Sequence, residues 1–227
     1  MKLKSILLVI IALAVSARAQ QLQAQQGSGA QQQSVTNEDG GRAFIIGREP
    51  QAFSALSTHG KIISEPQQDS IFLGSNWAKP NLRARESGLA NLLSNVHDQA
   101  TLNALDECGV KNLFGPTTSR EKLDDLTGNI SDLDIQAVLA AMLKDGTLPR
   151  PNTNTIYLIF LDPQAHSTLG SMIAAKHYVA YHNFFNGSGV KLHYVVVPFE
   201  ADSKTAYQIA LRAFVSAALN PTGSASN

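Results

Sequence analysis

The chain has 227 residues, 44% of them hydrophobic, and a formal net charge of zero at pH 7, which suits one domain with a sizeable core and gives no global field toward anionic partners. No basic run with interleaved aromatics occurs, so nucleic-acid binding is not expected. Cys108 is the single cysteine, which excludes an intramolecular disulfide; followed by Gly109 and with no neighbouring His or Lys, it reads as a small apolar residue at a helix end.

The N-terminus divides into three parts. Lys2 and Lys4 form a positive n-region, Ile6 to Val15 an apolar run, and Ala17-Arg18-Ala19 a small-x-small cleavage site. This pattern predicts a signal peptide over 1–19, a mature chain starting at Gln20, and a secreted or periplasmic location. The apolar run is about half of the ~20 residues that a membrane-spanning helix needs. No later stretch supplies a span, so none is expected after cleavage. Residues 20–59 read as a Gln-rich disordered linker and a poorly defined lead-in, because 20–41 has almost no apolar side chains to offset its ordering entropy. Within 42–59 only Phe44-Ile45-Ile46 suggests local order.

The globular domain is expected over 60–221, followed by a flexible tail at 222–227. Lys61-Ile62-Ile63 and Ile71-Phe72-Leu73 are strand-like. Pro80 suits a first helical position, and Leu89, Leu92, Leu93 and Val96 share one helix face. A second helix is expected from Asp98, as N-cap, to Glu107, with Gly109 ending it. Residues 110–128 read as irregular or weakly β. Ser131 and Asp134 form a variant capping box for a helix with the apolar stripe Ile135, Val138, Leu139, Met142 and Leu143, stopped by Gly146. Ile156 to Leu161 is a continuous apolar run that predicts a central strand buried on both faces. After a loop over 162–171, Tyr178–His182 and Leu192–Val197 flank the turn signal Asn186-Gly187-Ser188-Gly189 and predict a hairpin. The last helix is expected over about 202–219, packed by Ala206, Ile209, Ala210, Ala213 and Ala217 and stopped at Asn220-Pro221. Together these elements predict an α/β or α+β domain with a mixed sheet of about four to six strands and packed helices.

Several segments in order resemble the Exordium-like, or phosphate-induced, family of secreted proteins. They are Ile71 to Trp77, the helical stretch to Glu107-Cys108-Gly109, Ser131 to Leu143, Leu148 to Leu158, Ala180-Tyr181-His182 and Tyr194 to Pro198. The resemblance covers about residues 60–221. It implies export and a place outside the cell or in the cell envelope, with no settled biochemical activity. Plant members are associated with growth and with responses to phosphate or brassinosteroid. Many bacterial relatives carry a metalloprotease-type, zincin-like layout, with a His-Glu-x-x-Glu-like stretch on a helix shortly before Asn-Pro or Asp-Pro. With Asn220-Pro221 as the landmark, Arg212, Ala213 and Ser216 stand at those three positions. None supplies a zinc ligand or a general base, so the resemblance implies a degenerate site and no catalytic residue is assigned.

Other constellations are weighed against ordinary packing. His177 and His182 are five residues apart, which puts them on opposite faces of a strand. His182 and His193 are candidate cross-strand neighbours and the candidate metal pair, with zinc the cofactor such a pair would take; the base expectation is no cofactor. Trp77, Tyr157, Tyr178 and Tyr181 are candidates to line a carbohydrate surface, set against core packing. Trp77, Tyr181 and His182 are taken as candidate ligand-binding residues. No Gly-x-Ser-x-Gly elbow, GxGxxG or P-loop occurs. Asp124, Asp125, Asp132 and Asp134 surround a helix start, where capping and the helix dipole account for them. The expected function is a non-catalytic binding domain outside the cytoplasm, its partner an envelope polysaccharide or another extracellular protein. The competing readings are a metal-dependent hydrolase with non-standard ligands and a surface-displayed structural protein.

Overall fold

Seven residues rich in β-branched and aromatic side chains, with no glycine or proline among them, suit a strand covered on both sides, and Thr155–Leu161 is one. The computed structural model describes residues 34–36, 42–48, 61–97, 99–113, 118–122, 127–187 and 189–222. In chain order its elements are β1 (Ser34–Thr36), β2 (Arg42–Ile46), β3 (Gln67–Leu73), α1 (Pro80–Ala90), α2 (Gln99–Glu107), β4 (Thr118–Lys122), β5 (Gly128–Ile130), α3 (Asp132–Lys144), β6 (Thr155–Leu161), β7 (Ala165–Leu169), β8 (Met172–Ile173), β9 (Ala180–Gly187), β10 (Val190–Val197) and α4 (Ser203–Leu219). The main sheet has seven strands in the order β1-β2-β9-β10-β6-β3-β4, and β5-β7-β8 form a three-stranded sheet. The stretch β10-β6-β3-β4 is parallel, and β9, β2 and β1 extend it antiparallel. The fold is therefore a mixed α and β arrangement.

The main sheet is wider than the four to six strands expected, and the domain starts earlier than Gly60. β1 comes from residues read as linker, and β2 from the lead-in, where only Phe44-Ile45-Ile46 suggested local order. β2 gains its burial from a distant partner: Phe44, Ile45 and Ile46 pair with His182, Tyr181 and Ala180 of β9. Local composition carries no trace of such a pairing. The expected signal peptide at 1–19, the Gln-rich residues 20–33, the cap at Asp98 and the tail 223–227 lie outside the described residues.

Alternation along the strands divides the core in two. Ile156, Leu158, Phe160, Val195 and Val197 pack beneath α1, α2 and α4. Tyr157, Ile159, Leu161, Tyr194 and Val196 pack beneath α3 and the small sheet. The second cluster depends on α3, whose entry is fixed by the expected capping box: Ser131 Oγ accepts from the Asp134 amide, and Asp134 accepts from the Ser131 amide. Gly146 ends the helix region with φ 80°. On the other face α4 presents Ala206, Ala210, Ala213 and Ala217 to the sheet, and these small side chains let the helix approach closely.

The first helix is shorter than its apolar spacing suggests. Leu89, Leu92, Leu93 and Val96 are all buried, yet α1 ends at Ala90 and a 3-10 turn follows at Leu93–Asn95. The reason comes from the sheet. Gln68 of β3 donates from Nε2 to the carbonyls of Leu89 and Ala90, satisfying acceptors that a continuing helix would have used.

The connections out of β3 and β6 leave toward opposite faces at adjacent C-terminal ends. Such a topological switch often opens a crevice, but here a carboxylate fills it. Asp162 Oδ2 accepts from the Asn76 amide at 3.0 Å and from Asn76 Nδ2 at 2.8 Å, while Oδ1 accepts from the Gln164 amide at 2.8 Å. Gly74 lies against it with φ 114°, and a Cβ there would sit 2.3 Å from the carboxyl carbon. A Gly74→Ala variant meets both a backbone penalty and a clash with a buried, fully engaged group. It is expected to lose at least about 2 kcal/mol, read as a lower midpoint in urea unfolding; a midpoint within error of the parent would refute this account of the loop.

Candidate functional site

The cross-strand pairing predicted for His182 and His193 exists, as a diagonal. His182 is opposite Val195, and His193 opposite Phe184, so both rings project from the same face toward α4. His182 is sandwiched rather than open. Its ring stacks on Phe44 at 5.0 Å between centroids, and Nε2 lies 3.1 Å from Ser216 Oγ of α4. His193 Nδ1 is 3.1 Å from the Pro221 carbonyl. The two histidines thus tie the hairpin to the body and the C-terminal end of the last helix. Ser216, at one of the positions where a carboxylate was looked for, is a partner of His182. Arg212 donates instead to the Gly47 carbonyl, and Ala213 packs in the core. Among the described residues no group of three or more His, Cys, Asp or Glu side chains is arranged to share a metal ion. His177 is elsewhere, bonded locally to Ile173.

Both buried imidazoles are held neutral. Burial, followed by the neighbouring His193, pushes His182 down to about 3. Burial also pushes His193 down to about 4, against the pull of the Pro221 carbonyl.

The three candidate ligand-binding residues do not form one surface. Trp77 is 2% exposed and packs edge-on against Phe72 at 4.9 Å. Its indole N–H has no hydrogen-bond partner among the described residues, and the residue is one of those around a cavity of about 10 Å³, near the lower limit for one water. Tyr181 is fully buried on the opposite face of the sheet from His182, as period two requires of adjacent strand residues. It belongs to a polar core around Asp132. That carboxylate accepts from Tyr194 Oη at 2.7 Å, Asn183 Nδ2 at 2.9 Å and Gln136 Nε2 at 3.0 Å. Burial, then Asp132, drives the Tyr181 phenol well above its ordinary range. Asp132 thus anchors the first turn of α3 to β9 and β10, a larger task than the capping expected of it.

Composition gave no hint of three further places. Near the end of β4, Glu86 of α1 lies beside Glu121, which pairs with Arg83 at 2.7 Å. Burial first, and the Glu121 charge second, raise Glu86 to about 7. At the opposite end of the sheet, the loop before β6 and the first residues of β3 and β6 frame a cleft of about 230 Å³, with Asp69, Arg150, Asn152 and Tyr157 in its lining. A wider groove of about 520 Å³ runs along α4, between Arg48, Glu200 and Arg212.

No protein family, no curated protein and no solved structure matches the chain.

The titrating groups oppose one another, and the signs are separable. Histidines with folded values near 3 and 4 stay neutral while the unfolded chain takes up protons below its ordinary 6.5. Their contribution is whole above that value and is lost as the pH falls toward 4. Glu86 is protonated in the fold up to about 7. Its contribution is whole below about 4.5 and is lost as the pH rises through 7. Melting temperatures taken from pH 4 to 8 are therefore expected to fall less on the acid side in His182→Gln than in the parent. Glu86→Gln is expected to gain stability at pH 8 and little at pH 5. Parallel curves for parent and variants would contradict these assignments.

Proposed function

We propose that the chain is an exported, Exordium-like domain that works outside the cytoplasm by binding rather than by catalysis. One observation carries this reading. His182 and His193, the histidines most readily cast as metal ligands, are spent on contacts between the sheet and α4. That helix offers Arg212, Ala213 and Ser216 where a zincin-like relative would offer a histidine and two carboxylates. Arginine repels a cation, alanine has no donor, and the serine is already bonded to His182. A zinc ion at His182 would have to break that bond and the Phe44 stack and then find further ligands in a packed core. The reading therefore assigns the domain no resident cofactor. An envelope polysaccharide or another extracellular protein remains the proposed class of partner.

Elemental mass spectrometry on the purified chain from residue 20 to 227 tests this. Zinc well below one per chain is expected, with the same content in His182→Ala. Stoichiometric zinc that disappears in His182→Ala would overturn the non-catalytic reading in favour of a hydrolase with unusual ligands.

A further inference from the structure

We propose that Arg83, Glu86 and Glu121 form a proton-operated clasp between α1 and the edge strand β4, closed while one proton is held between the two carboxyls and loosened once it leaves. The geometry starts on the helix. Arg83 and Glu86 are three residues apart on α1 and share one face. Arg83 reaches Glu121 of β4 at 2.7 Å, so that face is turned to β4. Glu121 stands opposite Phe72 in the β3–β4 register, and Phe72 packs in the cluster beneath α1. Glu121 therefore points to the α1 side of the sheet.

The two carboxyls differ in burial. Glu86 is 8% exposed, and its Oε1 is buried with no hydrogen-bond partner among the described residues. The side chains of Glu121 and Arg83 remain 27% and 53% exposed, which gives solvent protons a route to the cluster. Glu86 hydrogen-bonds to Glu121 through its side chain. Ionised carboxylates only accept, so this contact needs a proton on one of the two. Burial, then the Glu121 charge, raises Glu86 to about 7 against the pull of Arg83, so Glu86 holds the proton.

The other charged groups on the packed elements are turned elsewhere. The 3-10 turn Ser75–Ala78 has none. Asp69 on β3, and Arg120 and Lys122 on β4, alternate to the opposite face of the sheet. Lys79, at the start of α1, is exposed, and Arg85 donates to the Glu200 carbonyl at 2.7 Å. On α4, Lys204 acts on Asp202 and Arg212 donates to the Gly47 carbonyl.

Loss of the proton leaves a buried Glu86 ionised beside a second negative charge, with one guanidinium for both. Relief requires water to reach Glu86. The element placed to give way is β4, the last strand of the seven-strand order, held through its pairing with β3. Loosening it uncovers the backbone edge of β3, so one proton sets which strand ends the sheet. The clasp does not depend on where the chain resides or on what it binds.

Amide hydrogen exchange on the chain from residue 20 to 227, from pH 5 to 8 and read as protection factors, tests this. The proton stabilises the closed clasp fully below 4.5, the ordinary value of Glu86, and that contribution is lost as the pH rises through 7. Protection at Ser119–Lys122 is expected to fall roughly tenfold or more over this range. Amides of β6 are expected not to fall with it, because His182 and His193 gain their contribution over the same range. Glu86→Gln keeps a donor for Glu121 but cannot ionise, and its β4 protection is expected to stay level. Glu121→Gln removes the opposing charge and is expected to shrink the fall. A carboxyl NMR titration of Glu86 gives a second readout, with a midpoint near 7 in the parent and a lower one in Glu121→Gln. Level β4 protection in the parent, an undiminished fall in Glu86→Gln, an equal fall in β6, or a Glu86 midpoint at its ordinary 4.5 would each overturn the clasp.

Discussion

The arrangement of β6 between two parallel neighbours constrains everything else. All seven of its residues pair with β3, and five pair with β10. A strand so placed needs cover on both faces, and the chain supplies it with two different devices. On one face the small side chains of α4 allow close contact with the sheet. On the other, α3 is fixed at its start by Ser131 and Asp134 and is anchored through Asp132 to Tyr194 and Asn183. Removing apolar area from water drives both layers together. The polar contacts add position: a buried carboxylate with three donors tolerates little displacement.

Polar groups lodged in this interior do different work according to whether they are satisfied. Asp162 and Asp132 are each met by several donors and fix loop and helix geometry. His182 and His193 each bond to the C-terminal region. Trp77 and Tyr157 differ in that each has a buried donor with no hydrogen-bond partner among the described residues.

Much of the fold was legible because its signals are local. The capping box at Ser131, the six-residue apolar run in β6, the glycine-rich turn between β9 and β10 and the stop at Asn220 each depend on neighbours in sequence. What escaped notice depends on distance. β2 is three buried residues beyond an alanine, and it becomes a strand because β9 supplies its other side. β7 and β8 are too short for periodicity to register. The end of α1 is set by Gln68, which is 21 residues from Leu89. The site follows the same rule. That Tyr181 and His182 face opposite ways was implicit in the alternation of a strand. That Tyr157 and Asp69 meet at a cleft was not, since it requires the β3–β6 register and a lip made by Pro149 and Pro151.

The pairing of β2 with β9 has a kinetic meaning. Phe44 and His182 are joined across 138 residues, whereas β9 and β10 are joined by a tight turn. Closing the longer loop carries the larger entropy cost. The hairpin, β6 and α4 therefore have the means to assemble first, leaving the β9 margin bare until β2 arrives. During that interval the stacking face of His182 and a row of backbone donors and acceptors stand open. Loop-closure entropy thus favours a sheet in which the N-terminal strands close last and cover an otherwise open edge.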